Sequence, residues 1–195
     1  MKAYREVTEL LKTLKLQGVH NHLDELITEA ETRKQSYVSF LNDLLNYELA
    51  QRAERRRRRN ISGAHFPVTK KIEVFDFNRV KGITKTEVSQ LLDFGWIDKT
   101  ENVLFFGPPG LGKTHLAIGL GHEAINKGYT VCFERITSLI RILKTADVQR
   151  QSGFRLRKIM KSRLLIIDEI GYTPIEKREA NLFFNLISKL YEKQR

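Results

Sequence analysis

Cysteine is almost absent: Cys132 stands alone in 195 residues. A disulfide framework is therefore excluded, which suits a reducing compartment. Proline is scarce as well, with four residues and none before Pro67, so nothing bars helix in the first third of the chain. No run of 18 or more apolar residues occurs, and none of the chain is suited to spanning a bilayer. Met1 to Leu16 alternates charged and apolar residues and lacks the apolar segment of a signal peptide. These absences point to a soluble, cytoplasmic protein without a membrane partner. Acidic charge is also in deficit, with 23 acidic against 34 basic residues and a formal net charge of +11. Such an excess attracts polyanions, nucleic acid first and an anionic membrane surface second, and says nothing about fold. The apolar fraction of 41% is ordinary. The length suits one full domain, or a domain with a small helical appendage.

Residues 1–60 read as a helical module. Val7, Leu10, Leu11 and Leu14 recur at helical spacing, as do Val19, Leu23, Leu26, Ile27 and Ala30. Ser36 fits the N-cap of a third helix with Phe40, Leu41, Leu44 and Leu45 on one face. That helix leads into a basic arm, Arg52 to Arg59. Residues 61–100 read as a connector that packs on the next domain. Ile61 to Ala64 has breaker composition, Pro67 bars helix, Ile72 to Phe77 alternates weakly, and a short helix is expected at Thr86 to Leu92. Residues 101–195 alternate strand and helix. Strands are expected at Val103–Phe106, Tyr129–Phe133 and Leu164–Ile167. Helices are expected at Lys113–Asn126 (closed by Gly128), Thr137–Thr145, Phe154–Lys161 and Glu176–Glu192. This alternation implies an α/β fold with a parallel sheet and helices on both faces.

Gly107-Pro108-Pro109-Gly110-Leu111-Gly112-Lys113-Thr114 has the phosphate-loop spacing, with a strand expected before it and a helix after. Glycines let the backbone curl so that successive N–H groups face phosphate oxygens, and the helix adds its positive dipole end. Lys113 brings a positive charge to the β- and γ-phosphates, and the Thr114 hydroxyl is a ligand for Mg²⁺. His115 closes the nucleotide-binding span and also reads as a helix-packing residue. The apolar run Leu164 to Ile167 ends in Asp168-Glu169. An acid at that point holds magnesium through water, and the glutamate beside it can take a proton from an attacking water. The cofactors expected are therefore ATP and Mg²⁺, with Lys113 and Glu169 in catalytic roles and Thr114 and Asp168 on the metal. His20 and His22 lie two apart with no cysteine near them, a poor metal set. Cys132 reads as core. Phe75 and Phe77 read as core or as flanks of an adenine ring.

Arg52, Arg55, Arg56, Arg57, Arg58 and Arg59 share their stretch with a single acid, Glu54. Five consecutive arginines cover every side of a helix and repel one another unless a polyanion relieves them. Contact with the backbone of duplex DNA does so and releases counterions. The alternative is a solvated helix end laced with ion pairs. No aromatic is interleaved, so base stacking is not suggested.

Taken together, these motifs resemble the IstB family, the ATP-binding helper proteins of a class of bacterial insertion sequences, and more distantly the DnaC helicase loaders. The resemblance is carried by Gly107 through Ala117, by Leu164-Leu-Ile-Ile-Asp-Glu-Ile-Gly-Tyr172 and by Arg178-Glu-Ala-Asn-Leu-Phe-Phe-Asn-Leu-Ile-Ser188. Leu14-Lys-Leu, Phe75-Asp-Phe and Gly95-Trp-Ile also fit, so it covers essentially the whole chain. It implies an AAA+ P-loop ATPase that forms homo-oligomers on duplex DNA and assists DNA transposition by engaging a transposase. The family's P-loop lysine and threonine fall on Lys113 and Thr114, and its magnesium and catalytic acids on Asp168 and Glu169. Measured against the family pattern, the chain ends early. The resemblance then implies a C-terminally truncated protein with an incomplete sheet, in which Val103–Phe106 and Leu164–Ile167 lack the strand between them and ATP turnover is impaired. Two alternatives stand beside this reading. One is a DnaC-like helicase loader; the other is a catalytically defective remnant that only binds DNA or a partner.

Overall fold

The computed structural model describes residues 2–80, 82–172 and 174–193. The chain divides into two compact units, residues 1–58 and 59–195.

The first unit is helical: α1 (Lys2–Thr13), α2 (Gln17–Asn21), α3 (Leu23–Thr32) and most of α4 (Tyr37–Ala64). Ser36 starts α4 as the spacing predicts, its hydroxyl accepting the Ser39 N–H at 3.2 Å. Leu11, Val19 and Leu23 form a small core, with Leu16, Leu26, Ile27, Leu44 and Tyr47 packed against it. The expected apolar face of α1 is only partly used. Leu11 is buried, whereas Val7, Leu10 and Leu14 are 43%, 58% and 64% exposed. A short α2 and α3 give that face too little surface to cover it.

The second unit carries the mixed helix and strand pattern of a P-loop domain. Strands β1 (Val131–Arg135) and β2 (Leu164–Asp168) pair in parallel, with Val131 opposite Leu164 and Arg135 opposite Asp168. Among the described residues these two make the whole sheet. Their side chains alternate between faces as strand geometry requires. Val131, Phe133 and Ile166 join the core built on α7 (Lys113–Asn126). Cys132, Leu165 and Ile167 join a second core with α8 (Ile136–Thr145), α9 (Arg150–Lys161) and α10 (Lys177–Lys193). Helices therefore cover both faces.

Three expectations change. Val103–Phe106 is not a strand. Leu104 and Phe106 are 69% and 86% exposed, and a cavity of about 410 Å³ lined by this segment and by β2 lies where a ladder would form. Without a neighbour to accept its N–H groups the segment cannot count as sheet. Tyr129 and Thr130 precede β1 rather than beginning it. Finally, α4 does not break at Ile61 but runs to Ala64, and His65 leaves it with a positive φ of 63°. Tertiary contacts override the weak local sequence here. Ala64 is fully buried, and the Arg155 guanidinium donates to the Gly63 and Ala64 carbonyls at 2.8 and 3.2 Å, closing the helix end.

The segment before the phosphate loop packs into the α7 core. Two short 3₁₀ turns, Ile72–Val74 and Phe77–Arg79, replace the weak alternation. The three-residue spacing of one such turn buries Ile72 and Phe75 together. Helix α5 (Lys85–Leu91) starts with a capping box in which Thr84 and Glu87 serve each other's backbone N–H. Helix α6 (Gly95–Asp98) follows.

Candidate nucleotide-binding site

Gly107 to Gly112 form a loop that delivers the chain into the first turn of α7. Gly107, Gly110 and Gly112 have φ of 146°, 85° and 80°, a region open to glycine without strain. Gly112 is pinned by packing too. A Cβ placed there would lie 2.5 Å from the Phe75 ring. Phe75 is thus a wall behind the loop, buried and edge-on to His115 at 5.3 Å. His115 in turn holds Lys71: its Nε2 lies 2.8 Å from the Lys71 carbonyl. That oxygen can only accept, so this nitrogen carries the proton. His115 and Phe75 shape the loop from outside.

Lys113 folds over the loop, its ammonium donating to the Gly107 and Pro108 carbonyls at 2.7 and 2.8 Å. The Thr114 hydroxyl lies 3.0 Å from each carboxylate oxygen of Asp168. The two motifs, 54 positions apart, therefore meet. Gly121 makes the meeting possible. A Cβ there would come within 2.7 Å of Phe66 and 2.8 Å of Ile166, so only a bare backbone lets α7 lie this close to β2. Thr114 sits at the head of that helix and Asp168 at the end of that strand.

Glu169 follows Asp168 with a left-handed backbone, φ 63°, a strained setting for a side chain of this kind. The Arg135 guanidinium reaches its carboxylate at 3.4 Å. Sequence reasoning did not select Arg135. The signal was a cation closing a strand that runs parallel to the acid-ending strand, which sets it opposite Asp168.

The donor set suits a hard cation. Hydroxyl and carboxylate oxygens converge at Thr114 and Asp168, which is what Mg²⁺ needs when phosphates and water complete its shell. Among the described residues no group of three or more His, Cys, Asp or Glu side chains could hold a metal by itself. His22 instead contacts Glu25.

The sequence pattern of IstB-like ATP-binding proteins matches residues 9–195. The chain belongs to this family. It is 37% identical to the insertion sequence IS21 ATP-binding protein of Pseudomonas aeruginosa over 96% of this chain and 71% of that one. Identity to the insertion sequence IS232 ATP-binding protein of Bacillus thuringiensis is 35%, over 98% of this chain and 77% of the relative. An IS21-like ATP-binding protein of Bacteroides fragilis is 34% identical over 94% of this chain and 92% of its own.

In this IstB-like chain the basic arm is less bare than its sequence suggests. Arg52 and Arg55 both bond Glu48, at 2.8 and 3.1 Å. Arg57 and Arg58 both bond Glu54, at 2.8 and 2.7 Å. Their hydrogen bonds hold the Glu54 carboxyl down at about 2, so it stays charged. Glu48 is buried at 3% exposure and also accepts the Val19 N–H at 3.0 Å. Burial opposes its ionisation, but the bonds from Arg52 and the backbone outweigh it and leave its pKa lowered. Glu48 escaped notice because it lies outside the run. The core reading of Cys132 holds: it is buried, and burial pushes its thiol up. Among the described residues no helix is long and apolar enough to cross a membrane.

Proposed function

We propose that this IstB-like protein is an AAA+ ATPase that binds ATP with Mg²⁺ at the phosphate loop and hydrolyses it while assisting DNA transposition, on duplex DNA and with a transposase. The observation that carries the nucleotide part is the Thr114 hydroxyl at 3.0 Å from both Asp168 oxygens. The loop N–H groups and the start of α7 receive the phosphates, and Lys113 turns from the loop carbonyls to the β- and γ-phosphate oxygens. Thr114 and Asp168 would hold the cation. Bound magnesium supplies the positive charge that offsets the negative charge gathering on the transferred phosphate. Glu169 accepts a proton at a carboxylate oxygen from the attacking water, which requires that oxygen to come free of Arg135. The DNA and transposase parts are supported by the net charge of +11 and by relatives named for insertion sequences. Among the arginines, Arg56 and Arg59 join Arg52, Arg55, Arg57 and Arg58 as the proposed DNA contacts.

The test is a fluorescent ATP analogue titrated with and without Mg²⁺, followed by turnover with and without duplex DNA. Lys113→Ala should abolish binding, and Glu169→Gln should keep binding while stopping turnover. Equal affinity in wild type and Lys113→Ala would remove the nucleotide site. Equal phosphate release in wild type and Glu169→Gln would remove Glu169 from the chemistry.

A further inference from the structure

A second concavity, of about 290 Å³, lies in the 59–195 unit between the last turns of α4, the start of β1 and the end of α9. It shares no residue with the phosphate loop or with Asp168 and Glu169. Four cations line it, Arg59, Arg157, Lys158 and Lys161, and no acid does. Among the described residues none of the four is in an ion pair. This sets Arg59 apart from its neighbours Arg57 and Arg58, whose charge Glu54 already offsets. Four unpaired cations around one hollow repel each other unless an anion enters.

Two further features say what kind of anion. The Phe154 ring is 54% exposed at this hollow, with Lys158 Nζ 5.0 Å and Arg157 Cζ 6.0 Å from its centroid. Both cations sit over the ring, so a flat, electron-rich group that stacks there displaces them toward its own negative charge. Asn60, also on the lining, has a buried side-chain nitrogen with no hydrogen-bond partner. A buried donor left bare costs free energy that a ligand acceptor would recover. Ring, donor and cations together match a nucleobase joined to its phosphate. The volume is at the low end of small-ligand sites, about 300 Å³ and upward, which admits one nucleotide and excludes a duplex.

The geometry points to a site for one unpaired nucleotide of a nucleic-acid strand, its base on Phe154 and its phosphates on Arg59, Lys158 and Lys161. The inference rests on the proposed function in so far as that reading makes nucleic acid a partner. The aromatic that the arginine run lacks is supplied here from α9. An unpaired or readily extruded nucleotide is favoured over a paired one, because unstacking it costs less.

The 195-residue protein is tested against three probes: a single-stranded oligonucleotide carrying one 2-aminopurine, a fully paired duplex of the same sequence, and the free mononucleotide. Phe154→Leu should weaken single-strand binding about tenfold and remove the fluorescence change of the stacked base. Phe154→Trp should restore both. Lys158→Gln with Lys161→Gln should lower the single-strand salt slope by about 1.4. Duplex affinity should stay within twofold in all of them. Phe154 is exposed, so these variants fold, and unchanged binding of the ATP analogue verifies it. Single-strand affinity equal to wild type in Phe154→Leu and in the lysine pair overturns the site while leaving duplex binding by the wild type intact. Free mononucleotide competing as well as the oligonucleotide overturns the strand as the ligand. Wild type that binds neither strand nor duplex overturns the proposed function's DNA component and this site with it.

Discussion

Replacing Arg155 by alanine should cost the 59–195 unit about 3–5 kcal/mol, the usual consequence of stranding one partner of a buried ion pair. Arg155 and Glu134 are 7% and 8% exposed and bonded to each other. The same guanidinium also donates to the carbonyls of Gly63, Ala64 and Phe133, the last at 3.0 Å. Alanine leaves the Glu134 carboxylate buried without its cation and opens the end of α4. Against a typical total of about 5–15 kcal/mol, that is roughly a fifth or more of the stability. At about 2–4 °C per kcal/mol for a chain of this size, the melting temperature should fall by about 6–20 °C. Adding Glu134→Gln to Arg155→Ala should recover part of the loss by removing the stranded charge. Denaturant unfolding of wild type, both single variants and the double variant closes the cycle, and hydrogen exchange should quicken around residues 61–64. A loss below about 1 kcal/mol for Arg155→Ala, or no coupling between the two sites, would refute the reasoning.

Thr114→Val removes the hydroxyl that Asp168 accepts, and it should weaken ATP binding in Mg²⁺ by about tenfold or more while leaving Mg²⁺-free binding unchanged, as read by analogue titration. Arg135→Ala breaks an ion pair whose side chains are 53% and 43% exposed, so stability should move by no more than about 1 kcal/mol. The freed Glu169 carboxylate should raise basal phosphate release severalfold; a fall would contradict the proposed release of Glu169 from Arg135. Glu48 has a lowered folded pKa, so its contribution is present above the unfolded carboxylate value of about 4.5 and is lost as pH falls through the folded one. Denaturation of the N-terminal helices between pH 6 and 2 should show that loss, and Glu48→Gln should flatten it.

The phosphate loop and the acid-ending strand were legible because each depends on residues close together in sequence: glycines for curl, a lysine and threonine at the helix start, an apolar run closed by acids. Helix α7 and strand β2 follow from the same local patterns. What escaped depends on distant partners. Val103–Phe106 has the composition of a strand, yet strand formation is a property of a pair, and composition cannot supply the other member. Ile61 to Ala64 has a weak helical sequence, but Arg155, far along the chain, satisfies the carbonyls that would otherwise end the helix. The basic arm looked unbalanced because Glu48 lies outside the run and is brought to Arg52 and Arg55 by helical spacing. Phe75 lay open to two uses, and the structure shows it buried and packed behind Gly112.

The register of β1 on β2 has a consequence for how this protein can change. Arg135 stands opposite Asp168, and Thr114 reaches that same carboxylate from α7. Deleting or inserting one residue within β2 would turn every side chain beyond the change to the other face and offer Ile167 or Glu169 to Thr114 in place of Asp168. Substitutions at Leu164 to Ile167 that keep size and apolarity leave the spacing intact. Length variation is thus forbidden where sequence variation is tolerated, and a library of single-residue insertions should find β2 far less permissive than the loop from Ala146 to Gln149.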